Sequence, residues 1–374
     1  MTRTYEGIDI DPLYTARDQR SGENPDGFPG EPPFVRGDLQ TTELGWDLRQ
    51  EHAHPDLDSA RAAIHEDLNG GVTSLLLRFD SLAQSGKDPG SSESSELDGL
   101  MVYSAEDLEA LLQEVDFERV PIALDAGSAF LPAASLLASV WARRGIDTQK
   151  VRGAFNADPW SALARKGELP VSPDVARSQL VELAEWTAKT YPNVTAVGVD
   201  TSPYHHAGAT ATQDIALAIA TGVDYLRTLT KVLPLDVAAK QILFRISVGT
   251  HHFLSIAKLR AARRLWWRVI EASGGDASVG GMRLHVRTSQ RVLTERDPFV
   301  NLLRNTVGVF AGGMGGAECI TSVPFDTRLG PPDEFSRRIA RNTLLILQEE
   351  GLLNLVADPA GGSWYLDHLT DQFA

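Results

Sequence analysis

Two apolar runs set the pattern of the chain: residues 194–200 read VTAVGVD, and residues 242–248 read ILFRISV. Nearly continuous runs of β-branched and aliphatic residues are typical of parallel strands that are buried on both faces. Similar runs recur along the chain, and longer amphipathic stretches separate them. The further runs cover residues 72–79, 120–124, 151–156, 283–288 and 317–323. Strands that alternate with helices in this way predict a parallel α/β architecture.

The number of strands decides between two such architectures. With an eighth candidate at 223–226, the runs would close a TIM (β/α)8 barrel, which is the fold that we predict for residues 56–374. An open doubly wound sheet is the alternative, but no glycine-rich phosphate loop follows the first run. Residues 1–55 are rich in proline, glycine and charge and are punctuated by aromatic residues. We expect them to form an extended N-terminal arm that docks on a larger body.

The composition argues against several classes of function. The 374 residues carry a formal net charge of −15, and a field of this sign repels nucleic acid and anionic membranes. Cys319 is the only cysteine, so an internal disulfide is excluded, as is a cysteine cluster that binds metal. The chain shows neither a signal-peptide core nor a window apolar enough for a membrane span. We therefore expect a cytoplasmic protein without a nucleic-acid or membrane partner.

Candidate functional residues follow the predicted strands, where barrel enzymes place their active sites. Tyr204, His205 and His206 come directly after the run 194–200, and a neutral histidine there can donate to a carbonyl or exchange a proton. Adjacent histidines point to different sides, so they do not predict a metal site. Arg287 and Ser289 end another run and are candidate ligand contacts.

Two further features allow more than one interpretation. The helix-like stretch 253–272 carries a set of basic residues that can meet the phosphates of an anionic ligand, although we favour a solvated face or a subunit contact. These are Lys258, Arg260, Arg263, Arg264 and Arg268. The glycines of 311–316 lack the lysine and the spacing of a P-loop. We expect them to let a helix and the next strand approach closely.

Longer motifs resemble one family over nearly the whole chain. AKLRAARRLW (257–266), LTERDP (293–298), FSRRIARNT (335–343) and DPAGGS (358–363) are similar to the methylmalonyl-CoA mutase family. PFVRG (33–37) resembles part of the arm with which members wrap around a partner subunit. The resemblance implies an isomerase that interconverts methylmalonyl-CoA and succinyl-CoA, with adenosylcobalamin as the radical source. It also implies that the substrate enters along the barrel axis.

The family's site motifs are altered in this chain. Its Thr-x-Gln-Asn-Asp reads AFNAD, so Asn156 stands in place of the glutamine. Its Tyr-His-Met-Gln-Glu-Ala-Gly reads YHHAG, two residues shorter, with His205 as a vestigial counterpart of the substrate-facing histidine. Its His-Ser-Gln-Thr-Ser reads HVRTS, which puts Arg287 in place of the glutamine. The tyrosine that follows the family's arm is missing from residues 38–45.

The last altered motif is Thr-Gln-Ser-Leu-His-Thr-Asn, which reads AECITSV here and brings in Glu318. The resemblance therefore identifies no confident catalytic residue beyond the vestigial His205. The substrate-pocket candidates that it leaves are Tyr204, His206, Asn156, His285, Arg287, Ser289 and Glu318. Polar site residues that change while scaffold motifs persist indicate a structural or regulatory role.

This pattern is most similar to the small subunits of the heterodimeric bacterial members. The resemblance implies a large catalytic subunit as partner, which binds adenosylcobalamin and receives the acyl-CoA. The family's cobalt-binding motif, Asp-x-His-x-x-Gly, does not occur in this sequence, and we expect the C-terminal linker and cobalamin-binding domain to be absent. One alternative is a catalytic barrel that works with a separate cobalamin-binding subunit. A free-standing acyl-CoA-binding barrel is another, against which the wrapping arm argues.

Overall fold

A computed structural model describes residues 2–19, 24–38, 45–90 and 98–374. The strands are β1 (Thr2–Arg3), β2 (Asp9–Ile10), β3 (Asp47–His52), β4 (Ser74–Arg78), β5 (Ile122–Asp125), β6 (Gly153–Ala157), β7 (Val194–Asp200), β8 (Ile242–Val248), β9 (Arg283–Thr288) and β10 (Cys319–Thr321). Eight of them form a closed barrel in the order β10-β3-β4-β5-β6-β7-β8-β9, and all its pairings are parallel. The predicted TIM barrel is confirmed.

Helices surround the barrel. They are α1 (Leu57–Asn69), α2 (Ser81–Gln84), α3 (Ala105–Leu111), α4 (Phe130–Arg143), α5 (Pro159–Lys166), α6 (Pro173–Thr190), α7 (Ser202–His206), α8 (Ala211–Leu229), α9 (Leu235–Lys240), α10 (His252–Ala272), α11 (Val300–Met314), α12 (Glu334–Leu345) and α13 (Trp364–Phe373). Several of these helices begin at a capping residue. Its side chain accepts a hydrogen bond from a backbone N–H of the first turn that has no partner within the helix. Thr210 forms a capping box on α8, and Asp333 caps α12 as predicted.

The eighth strand is not where the sequence placed it, and that prediction is wrong. Residues 223–226 belong to α8, and β3 closes the barrel instead. β3 reads DLRQEH. Because only one of its six residues is apolar, it does not stand out as an apolar run. The buried Arg49 donates a hydrogen bond to Ser74, and the half-buried Glu51 forms an ion pair with Arg287. The segment 1–55, predicted as an arm, thus includes the first barrel strand.

Small residues let the helices lie close to the barrel. A Cβ on Gly222 of α8 would come within 2.9 Å of the rings of Phe244 and Trp266. A Cβ on Gly312 of α11 would lie 3.0 Å from Val286 Cγ1 and 3.2 Å from Ile320 Cδ1. The prediction that the glycines of 311–316 allow a close helix–strand approach is therefore confirmed, with α11 as the helix.

The basic residues of α10 were predicted to form a solvated face or a subunit contact, and for three of the five this is wrong. Lys258, Arg260 and Arg263 are buried. Arg264 and Arg268 lie toward solvent, where they pair with acidic neighbours. Burial of the first three is possible because each guanidinium or ammonium group meets carboxylates or carbonyl oxygens inside the protein.

Arg260 ties distant parts of the chain together. Its side chain is fully buried and donates to Asp26 of the N-terminal segment and to Asp367 of α13, both at 2.9 Å. It also contacts Asp358 in the turn that precedes α13. The N-terminal segment and the C-terminal helix are therefore fixed to the barrel through one guanidinium group.

Replacing this group should destabilise the whole chain. We expect Arg260→Met to lower the free energy of unfolding by about 3 kcal/mol, because buried carboxylates lose a cationic partner. Arg268→Met is the matched control on the same helix. Its side chain is 67% exposed, so the change should stay within about 0.5 kcal/mol. Urea denaturation of both variants measures the difference, and equal effects would contradict the role of Arg260.

Candidate functional site

Charged side chains fill the barrel interior near the carboxyl ends of the strands. Arg245 of β8 reaches Asp125 of β5, with 3.1 Å between Nη2 and Oδ2, and it also contacts Asp200 of β7. Two strands separate β5 from β8 in the barrel, so this ion pair crosses the interior. Arg165 of α5 adds a second guanidinium, 2.7 Å from Asp200 and 3.4 Å from Asp125.

A second group of ion pairs lies beside the first. Glu51 of β3 accepts from Arg78 of β4 at 3.1 Å and lies 2.5 Å from Arg287 of β9. The two groups together, which we call the mouth cluster, contain three carboxylates and four guanidinium groups. Seven charged side chains thus meet at this end of the barrel.

The arginines keep the carboxylates of the mouth cluster ionised. Burial alone would raise the pKa of Asp200, but Arg245 and Arg165 outweigh burial and hold that pKa far below its ordinary value. The same balance lowers the pKa of Asp125 and that of Glu51. The cluster therefore behaves as a set of fixed charges rather than as a general acid or base near neutral pH.

The two adjacent histidines point to different sides. His206 lines a cavity of about 540 Å³ at the mouth of the barrel, together with Arg287 and Arg165. His205 is buried, and its Nε2 lies 2.8 Å from Ser289 Oγ. Burial lowers the pKa of both histidines, that of His206 to about 4 with a further contribution from Arg287. Near pH 7 both rings are neutral, and His206 is the one that faces the mouth.

Asn156 and Tyr204 lie near the mouth without joining the cluster. Asn156 has a left-handed backbone with φ of 51°, and its Nδ2 donates to the carbonyl of Leu124 at 2.9 Å. It lines a side cavity of about 170 Å³ with Asp158, whose pKa burial raises to about 6. Tyr204 lies on α7, half-buried, and burial raises its pKa as well.

His285 and Glu318 lie away from the mouth. His285 is inside the barrel, where its Nε2 is 2.8 Å from Thr321 Oγ1, and burial lowers its pKa well below the ordinary value. Glu318 precedes β10, at the opposite end of the barrel, 3.9 Å from Arg263. The structure therefore brings His206 and Arg287 together at the mouth and places Asn156 and Tyr204 near it. The other candidates lie apart from the mouth: His205, His285, Ser289 and Glu318.

Sequence reasoning missed most of the mouth cluster. The missed residues are Glu51, Arg78, Asp125, Arg165, Asp200 and Arg245. A signal was present for some of them, since a charge inside or at the end of an apolar strand needs a partner. Arg245 interrupts ILFRISV, and Asp200 ends VTAVGVD.

Other kinds of site find no support in the described ranges. Nowhere in residues 2–19, 24–38, 45–90 and 98–374 do three or more His, Cys, Asp or Glu side chains come together in a way that could hold a metal ion. Within the same ranges no helix has the length and apolar character to cross a bilayer.

The mouth cluster makes a prediction about stability and its pH dependence. In Arg245→Met, we expect a loss of about 3 kcal/mol at pH 7, because Asp125 and Asp200 keep only Arg165 as a close cation. In the wild type, the lowered aspartate pKa values contribute stability that is present above about pH 4 and lost on acidification. In the variant burial raises those pKa values, so stability should fall as the pH rises from about 4 to 7.

Urea denaturation at pH 5 and pH 8 measures this fall in the variant, whereas the aspartates of the wild type should contribute equally at both pH values. The exposed Arg152, which donates to a backbone carbonyl, supplies the control variant Arg152→Met. A pH profile of Arg245→Met parallel to that of the wild type would show that Arg245 does not set the aspartate pKa values.

Comparison with known proteins gives one consistent result. The methylmalonyl-CoA mutase family matches residues 3–374. A methylmalonyl-CoA mutase small subunit from Streptomyces virginiae is 45% identical, covering 100% of this chain and 57% of the relative. A small subunit from Propionibacterium freudenreichii subsp. shermanii is 38% identical, covering 99% and 54%. The methylmalonyl-CoA mutase of Escherichia coli K12 is 30% identical, covering 99% and 53%. The chain spans little more than half the length of these relatives.

Proposed function

Because this chain belongs to the methylmalonyl-CoA mutase family, we propose that it is part of the small, non-catalytic subunit of a heterodimeric cytoplasmic mutase that depends on adenosylcobalamin. The complex interconverts methylmalonyl-CoA and succinyl-CoA, and this chain stabilises or regulates the large subunit that performs the reaction. The main observation in favour of a non-catalytic role is the ion pair between Arg245 and Asp125 across the barrel interior.

The ion pair bears on function because the family's substrate is expected to enter along the barrel axis. A ligand on that path would have to displace Arg245 from Asp125 and Asp200. Separating one partner of a buried pair costs about 3–5 kcal/mol, since the remaining charge stays buried. That cost opposes substrate binding in this barrel and favours a role in the scaffold of the complex.

The residues at the mouth do not fit adenosylcobalamin chemistry. Radical rearrangement needs a dry pocket that holds the reacting acyl group close to the cofactor. Here the mouth presents four guanidinium groups, those of Arg78, Arg165, Arg245 and Arg287. We therefore assign the cofactor to the large subunit.

One observation favours the alternative, a catalytic barrel that works with a separate cobalamin-binding subunit. His206 is neutral near pH 7 and lines the cavity of about 540 Å³ at the mouth. A neutral imidazole there can donate a hydrogen bond to a thioester carbonyl. The two proposals differ in whether His206 matters for turnover.

Turnover of methylmalonyl-CoA, measured without oxygen and with adenosylcobalamin, separates them. We expect no turnover by this chain alone and turnover by its complex with the large subunit. His206→Ala in this chain should leave the rate of the complex within about twofold, because the reaction occurs elsewhere. Size-exclusion chromatography controls for assembly of the variant. A loss of about 100-fold, or turnover with only a cobalamin-binding domain added, would make this barrel the catalyst.

The N-terminal segment supports the subunit role. Phe34 and Val35 are buried, but other apolar residues of the segment are not. Tyr5 is 97% exposed, Leu13 73% and Phe28 61%. Exposed large apolar side chains on one segment are typical of a surface that another protein covers. We propose that these residues contact the large subunit.

Charge placed on this surface should weaken the complex. We expect the double variant Leu13→Asp and Phe28→Asp to raise the Kd for the large subunit at least about tenfold, because each carboxylate would be desolvated on binding. Val232, 46% exposed near the end of α8, supplies the control Val232→Asp. Isothermal titration calorimetry gives both constants. Equal Kd values for the two variants would show that the N-terminal segment does not contact the large subunit.

A further inference from the structure

A groove lined by aromatic residues lies where the N-terminal segment meets the starts of α10 and α13. We call it the aromatic groove, and its volume is about 570 Å³. Its lining consists of residues 10–14 of the segment, Phe253 of α10 and residues 362–365. None of these residues belongs to the mouth cluster, so the role of the barrel interior does not account for the groove.

Three aromatic rings of the groove are in contact with one another. The centroid of the Tyr365 ring lies 5.1 Å from that of Tyr14, with 41° between the ring planes. It lies 5.5 Å from that of Phe253, with 71° between the planes. Trp364 adds a fourth ring to the lining. Since Phe253 is 50% exposed and Trp364 39%, a continuous aromatic surface is open to solvent.

The charged group that borders these rings is a carboxylate. Asp11 lines the groove, and its exposed side chain forms no ion pair with the described part of the chain. Its backbone N–H donates to the hydroxyl of Tyr14 at 3.2 Å, so the residue lies next to the aromatic wall. Among the described residues that line the groove there is no lysine, arginine or histidine. Because the faces of aromatic rings are also negative, the groove attracts a cation.

A guanidinium group fits this combination of rings and carboxylate best. It is planar, so it stacks on aromatic faces, and its N–H donors can pair with a carboxylate at the same time. A metal ion fits poorly, because one carboxylate supplies too few ligands. Arginine and the aromatic residues are also the side chains that most often dominate the binding energy of protein interfaces. The groove is therefore suited to an arginine side chain of a protein partner.

The position of the groove identifies that partner. Leu13 is one of the exposed residues that we assign to the contact with the large subunit, and it also lines the groove. A surface that covers Leu13 therefore also excludes water from the neighbouring rings. A cation over an aromatic face is held more strongly when water is excluded from both.

We propose that the aromatic groove receives an arginine side chain of the large subunit. The guanidinium group lies against the rings of Tyr365 and Phe253 and forms an ion pair with Asp11, and its methylene chain packs on Leu13. The identity of the partner rests on the function proposed above. The preference for a guanidinium group does not, because it follows from the rings and the carboxylate of this chain.

A small probe tests the chemistry of the groove without the large subunit. N-acetyl-arginine methylamide carries the guanidinium group, and N-acetyl-citrulline methylamide is its uncharged isostere. Saturation-transfer NMR on the chain should give a Kd on the order of 10 mM for the arginine probe. The citrulline probe should bind at least about fivefold more weakly, because it lacks the charge that the rings and the carboxylate attract. N-acetyl-norleucine methylamide, whose side chain is apolar, should also bind at least about fivefold more weakly.

Two variants locate the probe. Phe253→Leu removes a half-exposed ring and should weaken binding of the arginine probe about fivefold, and Asp11→Asn should weaken it about threefold. Each variant has a matched control outside the groove. Phe299→Leu changes a ring that is 60% exposed, and Asp88→Asn changes an exposed carboxylate. Both controls should keep the wild-type affinity, and circular dichroism verifies the fold of all four variants.

The complex with the large subunit tests the partner. Isothermal titration calorimetry should give a Kd about tenfold higher for Phe253→Leu than for the wild type, because the arginine loses a desolvated ring. Phe299→Leu should leave the Kd unchanged. If the wild-type chain forms no complex, the function proposed above fails and the large subunit is excluded as the source of the arginine. The probe measurements would still decide what the groove binds.

Four other results would overturn the proposal. Equal affinity for the arginine and citrulline probes would show that charge does not select the ligand. Tighter binding of the norleucine probe than of the arginine probe would make the groove an apolar site. An unchanged Kd for the large subunit in a folded Phe253→Leu variant would place its contact elsewhere. Self-association of the chain that is lost in Phe253→Leu would assign the groove to a second copy.

Discussion

The ion pair between Arg245 and Asp125 is the constraint on which the interior of this barrel depends. A closed eight-stranded barrel is just wide enough for side chains to fill it. Where one arginine reaches from β8 to β5, Asp125 and Asp200 supply the countercharges, and Arg165 of α5 adds a second cation to the same two aspartates. Once these charges are buried, removing any one of them leaves another without compensation. The ion pairs therefore hold this end of the barrel together as one connected unit.

Buried charges in the outer layer of helices also need partners of opposite charge, but there the ion pairs have a different effect. On α10, Arg260 and Lys258 are buried because carboxylates from other elements meet them. Here the charges connect elements rather than fill space: Arg260 joins the N-terminal segment to α13, and Lys258 joins α10 to α8. Buried charge thus links strands across the interior and holds the helices in place outside it.

Much of the fold could be predicted because most barrel strands are apolar on both faces. The bounds of β7, β8 and β9 agree with the predicted runs. β3 could not be found in this way, because it carries the buried Arg49 and the half-buried Glu51, whose partners come from other strands. The mouth cluster was missed for the same reason. A charged residue in one strand shows that a partner is needed, but the partner's identity depends on the barrel order and register.

The motif that carried much of the family resemblance, AKLRAARRLW, has a structural explanation. Ala257, Leu259 and Trp266 pack in the apolar core or against neighbouring elements, while Lys258 and Arg260 are buried with carboxylates. Every one of these positions is constrained by contacts with several other elements, so substitutions there carry a cost whatever the barrel binds. Residues at strand ends are constrained chiefly by what enters the mouth. A chain that keeps the first set and changes the second therefore retains the fold of its relatives.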